Sequence, residues 1–218
     1  MCEYTLEEQE QNRILIKECK KLMESMGVNM EDSIIPPHLQ ELHDAVENHQ
    51  DVNRLRVALD NLTSSIDEIF DLEDKETALH IACEYSSLPC VELLLERGAN
   101  ILVKNALGET PLHISSQSGD TKIVELLVNH ATKHNIIKRV LQSVNDDGST
   151  PLHESTSGGD AHIDVVRVLL AAGASTKTTN TINGKKPWQL AKRNSEIRSL
   201  LKKKQLTVMM EGKKKIKK

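Results

Sequence analysis

The chain has 218 residues, 38% of them hydrophobic and only 2% aromatic: Tyr4, Phe70, Tyr85 and Trp188. That length suits one domain with short appendages, and four scattered rings cannot line a large small-molecule pocket or a base-stacking surface. The net charge of −4 conceals an uneven distribution, because residues 202–218 hold eight lysines against Glu211 and leave residues 1–201 at −11. Residues 36–80 alone carry eleven acids against Arg54, Arg56 and Lys75. No run of about 18 apolar residues is present, and Glu3, Glu7, Glu8 and Glu10 rule out a cationic leader at the start. Cys2, Cys19, Cys83 and Cys90 fall in no CxxC spacing, so neither a disulfide framework nor a zinc site is indicated. A soluble intracellular protein is expected, cytoplasmic and, through its lysines, also nuclear.

In chain order, Thr5-Leu6-Glu7-Glu8 is a capping box that opens a helix. Leu15, Cys19, Leu22 and Met26 then form one apolar stripe at helical spacing. The stripe is expected to pack on the first of the repeated units, with a partner-binding or self-pairing helix as the alternative. Residues 29–37 read as a linker. Beyond them the chain repeats itself. Thr110-Pro111-Leu112-His113 recurs forty residues later as Thr150-Pro151-Leu152-His153, and Thr77-Ala78-Leu79-His80 stands thirty-three residues earlier. Each is followed by a small pair (Ala82-Cys83, Ser115-Ser116, Ser155-Thr156) and then by an apolar helix pattern beginning at Val91, Val124 or Val166. Thr suits an N-cap and Pro the first helical position, while Gly98 and Gly173 suit left-handed C-terminal caps. Ser86 or Ser87, followed by Pro89, starts the second helix of its unit.

The pattern also shows where it breaks. Leu42-His43 stands 37 residues before Leu79-His80 and begins a degenerate unit. Seven extra residues fall in 130–144, read as a lengthened second helix or a small extra one, and two more fall around 160–163. Lys186-Pro187-Trp188-Gln189-Leu190-Ala191 aligns with Thr-Pro-Leu-His-x-Ala, with Trp188 in a core place and a second helix expected at Glu196–Lys203.

These motifs resemble the ankyrin-repeat family, whose unit is a β-turn finger followed by two antiparallel helices. The resemblance implies an all-α solenoid over residues 36–201, with units at about 36–72, 73–105, 106–145, 146–181 and 182–201. Three are clear repeats, and the two end units are divergent caps with polar outer faces. In the family the His bonds across to neighbouring groups and ties successive units together, a role expected for His43, His80, His113 and His153. Residues 1–35 stand before the array as helix and linker, and 202–218 come after it as a solvated basic tail.

No catalytic site emerges. His130 and His134 stand at i, i+4 but lack the Glu of HExxH. Cys83 and Cys90 occupy packing positions where thiols are inert, and no nucleophile elbow or phosphate loop is present. The expectation is a non-catalytic module without metal or cofactor, a monomer serving as adaptor or scaffold for another protein.

By resemblance the partner meets the finger tips and the outward side of the first helices. Carried over position by position, this strip presents Glu73, Asp74, Glu76, Glu84 and Tyr85, then Ala106, Leu107, Glu109, Gln117 and Ser118, then Asp146, Asp147, Ser149 and Ser157, and finally Lys185 and Arg193. It runs from acidic to basic, with Tyr85 and Leu107 as candidate anchors, and a basic protein segment is the expected ligand. Two alternatives stand beside this. Lys202-Lys203-Lys204 with Lys213, Lys214, Lys215, Lys217 and Lys218 form a loose two-part cluster that could engage an import receptor or nucleic acid. The organisation also resembles, loosely, small acidic ankyrin proteins that escort a very basic client.

Overall fold

The computed structural model describes residues 35–47, 52–70, 73–180, 182, 184–193 and 195–216, with backbone alone at Pro37 and 208–216. The N-terminal capping box and stripe, at residues 5–26, lie outside them. All regular structure among the described residues is helical: α1 (Pro37–Glu47), α2 (Val52–Asp60), α3 (Ala78–Glu84), α4 (Leu88–Glu96), α5 (Pro111–Ser118), α6 (Thr121–Lys133), α7 (Ile137–Gln142), α8 (Pro151–Glu154), α9 (Ile163–Ala171), α10 (Pro187–Leu190) and α11 (Glu196–Ile216). A 3-10 turn, Gly159–His162, precedes α9.

The helices form two rows. α1, α3, α5, α8 and α10 pack one after another, and so do α2, α4, α6, α9 and α11. No single hairpin has enough apolar surface to fold alone, so the core is shared between neighbours. Leu42, Leu79, Leu112 and Leu152, the leucines of the repeated tetrapeptide, are at most 2% exposed. Burying each contributes roughly 1.5–3 kcal/mol. The small pairs sit where the two rows cross, and Ala82, Cys83, Ser115, Ser116, Ser155 and Thr156 are all buried. Three of the four hydroxyls find partners in the preceding turn, as Ser155 Oγ does on Leu152 O (2.9 Å) and Thr156 Oγ1 on His153 O (2.7 Å), whereas Ser116 Oγ is buried without one.

Both alternatives for the insertion are realised together. α6 has 13 residues against 9 in α4 and α9, and after Asn135 in the left-handed region the chain adds α7, anchored by buried Val140 and Leu141. The two further residues fall at the 3-10 turn, whose Asp160 Oδ1 accepts the Ile197 N–H at the start of α11 (3.2 Å). Gly98 and Gly173 close α4 and α9 at φ +90° and +100°.

Two expectations need correction at the C-terminal end. Trp188 is half-buried, not core: Arg198 and Lys202 lie over its ring at 5.3 and 5.0 Å, a pair of cation–π contacts at the array's edge. The last helix does not stop at Lys203 but takes in most of the lysine-rich segment. α11 runs to Ile216, because Leu, Gln, Met and Lys are strong helix formers and outweigh the repulsion between lysines. Lys213, Lys214 and Lys215 lie on this helix, and Lys217 and Lys218 lie beyond the described residues.

Candidate protein-interaction surface

The surface is held by a hydrogen-bonded frame written in the repeated Thr and His. Thr77, Thr110 and Thr150 are extended N-caps whose carbonyls take the N3 backbone N–H at 2.8–3.0 Å, while the N3 histidine ring accepts the cap's own N–H in return. This is a capping box with His in place of Glu. His80, His113 and His153 accept that N–H on Nδ1 at 3.0–3.2 Å, and the Thr hydroxyl lies 2.8–2.9 Å from the same atom. A nitrogen that accepts from a backbone N–H carries no proton, so the proton sits on Nε2. Nε2 then donates into the next unit: His80 to Glu109 O (3.2 Å), His113 to Ser149 O (3.1 Å) and His153 to Lys185 O (3.2 Å).

Burial favours the neutral ring, pushing His80 and His113 down to about 4 against the opposing pull of the carbonyls they bond, and lowering His153 as well. His43 departs from the expected role. Gln40, three residues before it, is already helical, so there is no extended cap for its ring to bond. In the last unit Gln189 Oε1 accepts Lys186 N–H at 2.9 Å, which reproduces half of the box. A lysine ammonium has no lone pair with which to complete it.

The fingers are closed by asparagines that sequence reasoning passed over. Asn105, Asn145 and Asn180 each donate their N–H to the carbonyl of the residue before the next helix cap (2.9–3.0 Å), and their Oδ1 accepts that residue's N–H at 2.9 Å. Their recurrence at Thr110 − 5 and Thr150 − 5 was the available signal. Adjacent fingers are joined by Ala106 N–H to Asp74 O (2.7 Å) and Asp146 N–H to Leu107 O (3.0 Å). In the first finger Phe70 takes the asparagine's place: its N–H reaches Glu76 O at 2.9 Å, and its ring is buried at 1% exposure.

On this frame Glu73, Asp74, Glu84, Tyr85, Leu107, Gln117, Asp146 and Asp147 are exposed, and Glu76 and Glu109 are half-buried. Ser149, expected on the strip, is buried because its backbone closes the finger and receives His113. Lys185 and Arg193 are exposed at the far end. Tyr85 is 44% and Leu107 65% exposed. Burial, followed by the carboxylates of Glu47, Glu84 and Glu76, pushes the Tyr85 hydroxyl above its ordinary pKa, and Glu47 hydrogen-bonds it.

Three surface residues were missed. Glu47 stands 37 residues before Glu84, the spacing that relates the first two units, so the same alignment reaches it. Glu154 occupies the x place of Thr-Pro-Leu-His-x, where the other units have Ile81 and Ile114. It is half-buried, Asn145 Nδ2 donates to its Oε1 at 3.3 Å, and burial and then Glu109 raise its pKa. Ile182, 67% exposed in the last finger, adds a second apolar tip to that of Leu107. Among the described residues no Lys or Arg pairs with Glu84, Glu109, Asp146, Asp147 or Glu154, whereas Arg97–Asp60 (2.7 Å) and Arg167–Glu196 (2.9 Å) bridge elements elsewhere.

Cys83 and Cys90 are fully buried, and burial raises both pKa values, which suppresses the thiolate. His130 and His134 stack with ring centroids 4.4 Å apart at the end of the lengthened α6. No helix among the described residues is long and apolar enough to cross a membrane.

Two rows of helices, fingers joined edge to edge and a histidine bond from each unit into the next define a stacked-repeat architecture. A family profile described as ankyrin repeats in three copies matches residues 42–138 and 103–180. The chain belongs to the ankyrin-repeat family, whose arrays generally mediate protein–protein interaction and are generally non-catalytic. It is 38% identical over 109 residues to the NF-kappa-B inhibitor alpha of Gallus gallus, which covers 50% of this chain and 33% of that protein. It is also 38% identical over 64 residues to human Rabankyrin-5, covering 29% of this chain and 6% of that one. A similar 65-residue match, 37% identical, occurs in the glycerophosphocholine phosphodiesterase GDE1 of Eremothecium gossypii, over 29% of this chain and 5% of the enzyme. The chain thus spans a third or less of the length of these relatives.

Proposed function

We propose that the array acts as a non-catalytic adaptor that binds a basic segment of another protein along its fingers and first helices. One observation carries this reading: Glu84, Glu109, Asp146, Asp147 and Glu154 line that side without a Lys or Arg among the described residues to neutralise them. A half-buried carboxylate such as Glu154 loses solvation without gaining a counter-charge, and a lysine or arginine from a partner would supply one. Glu73, Asp74 and Glu76 extend the negative field and steer the encounter. Tyr85, Leu107 and Ile182 offer the apolar area that gives a charged interface its anchor, and Gln117 adds a polar contact between them. An inhibitor among the relatives is in keeping with such a role, since inhibition by an array of this kind is an act of binding.

The test reverses the charge of Glu73, Asp74 and Glu84 together, to lysine. Capture of a basic partner peptide should be abolished while the helical circular dichroism is preserved, and unchanged capture would refute the reading. Wild-type capture should also weaken as salt rises, because exposed charges are screened beyond a Debye length of about 8 Å at physiological ionic strength. The array is taken to act as a monomer, which light scattering would check.

A second reading rests on Lys202, Lys203 and Lys204, all exposed on α11. Their helix continues through Lys213, Lys214 and Lys215, a basic rod suited to an import receptor or to nucleic-acid phosphates. Deleting residues 205–218 should then shift the protein toward the cytoplasm and remove salt-sensitive RNA or DNA retention. A very basic client held by the acidic strip would instead be lost with the charge reversal and kept in the deletion.

A further inference from the structure

The degenerate first unit keeps the repeat's histidine but gives it nothing to do. In the other units Nδ1 accepts the cap N–H and meets the Thr hydroxyl. At His43 there is no such cap, and the Gln40 amide turns instead to Asp44 Oδ1 at 2.9 Å. His43 Nδ1 is buried and has no hydrogen-bond partner. A buried nitrogen without a partner is uncommon in a folded protein. Two carboxylate oxygens lie near it without bonding it: Asp44 Oδ1 at 3.8 Å and Glu47 Oε2 at 3.9 Å.

We propose that His43, Asp44 and Glu47 form a binding site for a divalent transition-metal ion, with zinc as the reference ion. His43 and Glu47 are four residues apart on α1 and so share a face of the helix, and Asp44 adjoins them. One atom from each residue can be chosen so that all lie within 4.8 Å of one another. A tetrahedral zinc with bonds of about 2.0–2.2 Å holds its ligand atoms roughly 3.4 Å apart. The ligand atoms must therefore draw together by roughly 1.4 Å at most. The movement falls on the two acids, which are 40% and 54% exposed, whereas the histidine is only 20% exposed.

The donor set, one imidazole and two carboxylates, suits a borderline dication and makes the bound site neutral. Water would complete the coordination from the exposed side. The surroundings are those that orient metal ligands. Phe70 meets the His43 ring edge-on at 5.0 Å and 85°, which fixes its plane. Gln40 holds Asp44 Oδ1, Arg54 lies 3.8 Å from Asp44 Oδ2, and the Tyr85 hydroxyl bonds Glu47. Arg54 weakens the field for a cation, yet it approaches the carboxylate oxygen other than the one beside the histidine. The inference does not rest on the docking reading, although a metal here would neutralise the acids beside Tyr85.

The experiment is a calorimetric titration of the chelator-stripped full chain with zinc chloride. One equivalent is expected to bind at this site. Asp44→Asn and Glu47→Gln keep the packing and should each weaken it by more than about tenfold, and His43→Ala should remove it. The His43 ring proton resonances should shift with zinc in step with the heat. Because His130, His134 and the thiols of Cys2 and Cys19 can also take zinc, the His130→Ala/His134→Ala variant and the protein alkylated in its native state are titrated in parallel. Isotherms unchanged in all three site variants would overturn the proposal, as would binding lost only in the parallel controls.

Discussion

At the scale of single residues, one histidine does three jobs, and its removal should be costly for identifiable reasons. His113 completes a capping box, receives Thr110 and reaches Ser149 O in the next unit, and it is wholly buried. His113→Ala leaves buried partners unsatisfied and a cavity behind, so roughly 2–4 kcal/mol should be lost in urea unfolding. Less than about 1 kcal/mol would show that the frame is not what holds these units together. Glu154 behaves oppositely. Glu154→Ile restores the residue type of the other two units and removes an unneutralised carboxylate, so the urea midpoint should rise while capture of a basic peptide falls. Capture unaffected by this change would remove Glu154 from the interface. Cys83 and Cys90 should resist a thiol reagent until the array unfolds, which peptide mass spectrometry after native labelling would read directly.

At the scale of elements, the helices were legible wherever a residue's local role and its repeat position agree. Thr110-Pro111 starts α5 and Gly98 ends α4 because capping chemistry is local and needs no tertiary knowledge. The insertion was legible in position but not in form, since Ile136 and Ile137 fit a longer helix as well as a new one. Only the left-handed turn at Asn135 divides α6 from α7. Trp188 was misjudged, and Phe70 left without a role, for a common reason. Composition counts rings but does not say that one closes the first finger from the core and the other lies under two cations at the edge. Of the surface, the acids of the second unit were legible, while Glu47 and Glu154 required the repeat alignment to be carried one unit back and one position inward. His162 supplies a test at this scale. The 3-10 turn lays its ring against the backbones of Gly119 and Gly158, where a methyl group would overlap it. Gly119→Ala combines that overlap with a φ of +82° and should cost more than Gly98→Ala, whose added methyl has open space and whose cost, about 1 kcal/mol, is conformational alone. Equal losses in thermal unfolding would mean that the turn yields freely.

At the scale of the whole molecule, the three buried histidines tie folding to pH, and the direction comes from proton counting. His80 and His113 fall from an ordinary 6.5 to about 4 in the folded chain, and His153 moves the same way. Between those values the unfolded chain binds more protons than the folded one, so stability rises with pH. The neutral frame is therefore fully stable above about pH 6.5 and loses stability as pH falls from there toward 4. A tenfold change in proton affinity is worth about 1.4 kcal/mol, so His80 and His113 could each account for up to about 3 kcal/mol over that span. Glu154 acts against them, because its raised pKa means the folded chain holds its proton longer and gains stability relative to the unfolded chain as pH falls. One half-buried carboxylate is outweighed by three histidines in hydrogen-bonded series. The urea midpoint should therefore drop markedly between about pH 7.5 and pH 5, and the drop should shrink when His113 is replaced by asparagine, which cannot take up a proton there. A midpoint that holds or rises toward the acid end would mean that protonated histidines are accommodated in the frame and that its polarity runs the other way.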